Sequence, residues 1–97
     1  MNNIITFDKS ILEKAKRLFY SVTVYTYNSV GNYVKSADNT GAFVRIYRTG
    51  WEYSEDENFY NNADLEKYVN DELADRVYFY QHELDYSREE AEKAALY

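Results

Sequence analysis

The sequence has no cysteine and no proline, only three glycines, and single histidine and tryptophan residues. Without cysteine there is no disulfide, no thiolate nucleophile and no cysteine-ligated zinc. Without proline, every chain reversal falls to Gly, Asn, Asp and Ser, whose side chains tolerate or template turns. The glycines stand singly at 31, 41 and 50, which excludes a glycine-rich loop able to wrap a phosphate. His82 lies four residues from both Tyr78 and Tyr86, the spacing of a packing or surface residue on a helix rather than of a general base. No apolar run approaches the roughly 18 residues of a membrane span. Residues 1–8 lack the basic start and apolar stretch of a signal peptide. These absences lead us to expect an untargeted intracellular protein, not an enzyme, with no cofactor, metal or membrane partner.

What is abundant is tyrosine, with 12 copies, and negative charge, with 17 acids against 11 Lys and Arg for a net charge of −6. The charge is unevenly spread. Residues 1–51 carry seven Lys/Arg and three acids, whereas residues 52–97 carry four Lys/Arg and fourteen acids. Such asymmetry points to an interaction surface in the second half.

The local patterns predict one α+β domain spanning 1–97. Ser10-Ile11-Leu12-Glu13 has the form of a capping box. Ile11, Leu12, Ala15, Leu18 and Phe19 then recur at helical spacing, which predicts a helix over 9–20. Ser21–Asn28 alternates β-branched and aromatic residues and reads as a strand. Tyr33–Ala37 is a weaker second strand and Ala42–Arg48 a third, joined by turn residues at 28–32 and 38–41. Short connections predict an antiparallel meander. Glu52–Asn62 has no clear period. Asn61 or Asn62 can then cap a long helix with apolar positions Leu65, Tyr68, Val69, Leu73, Val77, Tyr80 and Leu84. Ser87-Arg88-Glu89-Glu90 is a second capping box, opening a short helix over 88–96. The expected fold is a three-stranded antiparallel sheet with packed helices, in the order α-β-β-β-α-α.

Glu55-Asp56-Glu57 is the densest acidic run. It lacks the alternating ligands, central glycine and terminal glutamate of a calcium loop. The strand pattern separates a face with Val22, Val24, Ala42, Val44 and Ile46 from one with Tyr25, Tyr27, Phe43, Arg45 and Tyr47, joined by Tyr33 and Lys35. Aromatic and basic side chains of this kind can stack on single strands. The acidic half would repel phosphate, so direct nucleic-acid binding is not expected.

A duplex carries dense negative charge, and proteins that bind it present Lys and Arg to match. Carboxylates at Glu52, Glu55, Asp56, Glu57, Asp64, Asp71 and Asp75 can therefore occupy the same kind of basic groove. Gly50-Trp51-Glu52-Tyr53-Ser54-Glu55-Asp56-Glu57-Asn58-Phe59-Tyr60-Asn61 resembles the acidic segment of small phage anti-CRISPR inhibitors of type II-A Cas9, with a two-residue gap after Trp51. The resemblance covers this stretch only. It implies that Glu55, Asp56 and Glu57 imitate DNA before the arginines that read it, with Tyr53, Phe59 and Tyr60 as aromatic anchors. It also implies a basic nucleic-acid-binding partner such as a Cas effector, met in the cytoplasm of a bacterial host. The alternative is a non-catalytic interaction module or homo-oligomer using tyrosine-rich surfaces.

Overall fold

The computed structural model describes residues 4–50, 52 and 54–96. Its elements are β1 (Ile5–Thr6), α1 (Lys9–Leu18), β2 (Ser21–Tyr27), β3 (Tyr33–Lys35), β4 (Thr40–Gly41), β5 (Phe43–Thr49), β6 (Ser54–Phe59), α2 (Asn62–His82) and α3 (Arg88–Ala95). The α+β class holds, but the expected order and three-stranded sheet do not. The main sheet has four antiparallel strands in the order β3-β2-β5-β6, and β1 pairs with β4 in a second, two-stranded sheet.

Two physical effects account for the difference. First, the acidic stretch left without a period is a strand. Ser54–Phe59 has little intrinsic β preference, but β5 offers it a full ladder from Val44↔Phe59 to Thr49↔Ser54. Pairing with a neighbour overrides propensity at a sheet edge, and charges on an edge strand also keep it from recruiting other chains. Second, the sheet is not a meander. β5 returns to pair with β2, placing β2 between β3 and β5. The segment expected as a compact turn at 38–41 instead crosses to β1. There the amide of Phe7 donates to the Asn39 carbonyl at 2.8 Å and Asn39 Nδ2 donates to the Phe7 carbonyl at 2.7 Å. Gly41 is required for close approach rather than for a left-handed turn: a Cβ there would lie 2.4 Å from the Tyr25 carbonyl oxygen.

The helix ends follow local chemistry. α1 begins earlier than the Ser10 box suggests, because the Asp8 carboxylate accepts from the amides of Ser10 (2.8 Å) and Ile11 (3.4 Å). These bonds, with one from the Ser10 hydroxyl as the largest contribution, hold the Asp8 carboxyl below its ordinary range. Asn61 caps α2 by accepting from the amide of Asp64 at 2.8 Å. Asn62 ties that end to β1 through the Asp8 amide and the Thr6 carbonyl. Ser87 and Glu90 form the capping box of α3.

The core lies on one face of the sheet. Val24, Val44, Ile46 and Phe59 pack against Phe7, Ile11, Leu12, Ala15, Leu18 and Phe19 from the N-terminal segment and Leu65 and Val69 from α2. Only the first half of α2 sits on this core. The second half projects beyond it with α3 alongside, through Ala91 and Ala95. The radius of gyration is accordingly 15.3 Å, against about 12–13 Å for a compact chain of this length.

Candidate functional site

Antiparallel register decides where the acidic run points. Cross-strand partners share a face, so Glu57 opposite Ile46 and Glu55 opposite Arg48 lie on the helix side. Asp56, opposite Tyr47, lies on the other. The three consecutive carboxylates therefore do not form one row. Alternation along a strand splits them two against one.

The helix-side pair joins a second set. At 3.6 residues per turn, Asp64, Asp71 and Asp75 form one exposed ridge on α2, flanked by Tyr68 and Glu72. Tyr68 connects strand and helix. Burial raises its pKa, hydrogen bonding from Arg48 opposes that, and the nearby charges of Glu57 and Glu55 raise it further. Both strand carboxylates thus lie within electrostatic reach of the helix flank. Glu52 is exposed just before β6.

Not every acid is free to meet a partner. Glu72 accepts from Arg48 Nη2 at 2.7 Å and from Arg76 Nε at 2.9 Å. Arg76 also donates to the Leu18 carbonyl, and Arg48 Nη1 to the Tyr68 hydroxyl at 3.3 Å. This network pins α2 to α1 and β5. Burial opposes the charge on Arg48, but the bonds it donates to Tyr68 and Glu72 outweigh it and raise the pKa. Asp71 is paired with Lys67 at 2.8 Å in solvent, and Asp64 accepts from Asn61 at 3.0 Å. Among the described residues, Glu52, Glu55, Asp56, Glu57 and Asp75 take part in no ion pair.

The aromatic anchors separate as well. Phe59 is buried, with its ring 4.8 Å from Tyr68, so it serves the core and cannot reach a partner. Tyr60 is exposed but packs at 5.6 Å against Phe43 on the opposite sheet face. Tyr53 lies outside the described residues.

That opposite face bears no helix among the described residues and carries the aromatic set expected from strand alternation. Phe43, only 3% exposed, is walled by Tyr25 (5.3 Å), Tyr33 (5.7 Å), Tyr27 (6.4 Å) and Tyr60. Arg45 lies within 5.2–5.8 Å of the rings of Tyr33, Tyr25 and Phe43, and its Nε donates to Asn58 at 2.9 Å. The proximity of Tyr33 raises the Arg45 pKa. The rings and the cation are largely occupied with one another, which makes this face a second small core rather than a row of open stacking platforms.

His82 stacks on Tyr78 at 4.0 Å. Among the described residues no group of three His, Asp or Glu is arranged to hold a metal ion, and no helix is long and apolar enough to cross a membrane. Protein-family models, curated proteins and solved structures yield no match to this chain.

Proposed function

We propose that the protein is an inhibitor from a phage or mobile element that occupies the DNA site of a basic nucleic-acid-binding defence protein. A type II-A Cas effector is the first target to test. The observation that carries this reading is the junction of Glu55 and Glu57 on β6 with the Asp64–Asp71–Asp75 ridge of α2. From Asp64 to Asp75 the helix rises about 16 Å at ~1.5 Å per residue. With Asp71 paired to Lys67, Asp64 and Asp75 remain on the helix, and Glu55 and Glu57 add two carboxylates from β6. A DNA strand likewise presents a row of negative charge, roughly one per 3.4 Å. A groove lined with Lys and Arg accepts either surface by the same Coulomb attraction.

The reading is tested by inhibition of DNA binding in a type II-A Cas9, with displacement of a PAM-containing duplex as readout. Glu55→Lys, Glu57→Lys and Asp75→Lys together should abolish inhibition, and inhibition by the unaltered protein should weaken as salt is added. Asp56→Lys, on the opposite face, should leave most of it. Full inhibition by the triple variant would remove the proposal.

A second reading, a tyrosine-rich interaction module, draws on the projecting α2–α3 hairpin. Tyr78 and Phe79 are 64% and 50% exposed there, an apolar surface of the kind that marks protein contacts. Association through it would persist at high salt, where the charge-driven complex dissociates.

A further inference from the structure

At the β3 edge of the sheet, the edge away from β6, the basic half of the chain forms a cleft. α1 forms one wall, β2 the floor, and the segment from Lys35 to Asn39 the far end, enclosing about 460 Å³. That volume lies within the roughly 300–1,000 Å³ of small-molecule sites. Leu12, Val22 and Val24 line it with apolar surface.

Three cations surround this apolar floor. Lys9 and Lys16 are two turns apart on the face of α1 that also carries Leu12, and Lys35 approaches from β3. None of the three takes part in an ion pair among the described residues. Of the two acids in the lining, Asp38 is held by its own loop, accepting from the Thr40 amide (2.8 Å) and the Ser36 hydroxyl (3.3 Å). The lining thus holds three cations against two carboxylates, Asp38 and Glu13, a net charge of +1.

The backbone adds a donor. β3 pairs only with Tyr25–Tyr27, leaving the first half of β2 without an outer neighbour. The Val24 carbonyl points to that outer side, where it accepts from the Ser36 amide at 2.8 Å. Residues two apart on an antiparallel strand direct their amides and carbonyls the same way. The Val22 amide therefore faces the cleft, with no strand to receive it.

We propose that this cleft binds a small organic anion, its charged oxygens held by Lys9, Lys16, Lys35 and the Val22 amide and its apolar body lying on Leu12, Val22 and Val24. A carboxylate or a phosphate ester would satisfy this chemistry equally. The test uses 1-anilinonaphthalene-8-sulfonate, an oxyanion on an aromatic body, added to the full chain and followed by fluorescence and by amide shifts in NMR. One equivalent should bind with Kd below about 100 µM and shift Val22, Thr23 and Ser36. Lys16→Glu with Lys35→Glu should weaken it roughly tenfold or more, with circular dichroism unchanged. Displacement by phenyl phosphate or by octanoate then tells which anion the cleft prefers. Shifts confined to residues outside the cleft, binding indifferent to the charge reversals, or displacement by neither competitor would each overturn the proposal. These surface lysines and the acidic ridge are separate, so failure here leaves the proposed inhibition standing.

Discussion

Replacing Glu72 by Gln removes one negative charge from between two arginines without changing the shape of the side chain. Glu72 is 14% exposed and receives Arg48 at 2.7 Å and Arg76 at 2.9 Å. Each contact is worth about 4 kcal/mol before desolvation at an effective dielectric of ~20. Desolvation and the partial exposure of both arginines offset most of that. Removing a partner from a fully buried pair costs about 3–5 kcal/mol, whereas an exposed pair contributes under ~1 kcal/mol. Glu72 lies between these limits, and the expected loss is about 2 kcal/mol. In urea denaturation followed by circular dichroism, the midpoint should fall by roughly 1 M. The Lys67–Asp71 pair provides the control, since both side chains are exposed. Asp71→Asn should change stability by less than ~0.5 kcal/mol. A double-mutant cycle with Arg48→Met should show coupling of roughly 1 kcal/mol or more. Equal effects of Glu72→Gln and Asp71→Asn would refute the reasoning, because the network would then not anchor α2 to the sheet.

The aromatic face offers a second test. Phe43→Ala should destabilise by about 3–5 kcal/mol although its ring lies on the sheet face away from the helices, and a loss below ~1 kcal/mol in the same urea assay would show that the tyrosines around it bury nothing of consequence. Acid titration offers a third. Hydrogen bonds from Ser10 and Ile11 lower the Asp8 pKa, and those from Ser87 lower that of Glu90. Because both folded values lie below the unfolded ones, their contribution is complete above the unfolded pKa and is lost as pH falls through the folded one. Stability should therefore rise with pH over about pH 3–5. Asp8→Asn with Glu90→Gln keeps both caps but abolishes the titration, and an unchanged slope in that variant would contradict the assignment.

Local chemistry alone was enough to locate three helices, three of the strands and the separation of the sheet into an apolar and an aromatic face. Side-chain period, Asn61 and the Ser87–Glu90 box act within one or two turns, so neighbours in the sequence carry that information. The strand Ser54–Phe59 was not legible, because its ladder comes from β5 and not from its own residues. Nor was the crossing at Asn39–Gly41, which depends on contacts with Phe7 far away in the chain.

The same division holds at the candidate site. Composition determined that the second half of the chain is strongly acidic. Only the tertiary structure decided which carboxylates share a face. Strand alternation turned Asp56 away from Glu55 and Glu57, packing consumed Phe59, and Arg48 and Arg76 claimed Glu72. Charge is a property of residues one at a time, but a surface is a property of the directions in which a folded backbone sends them.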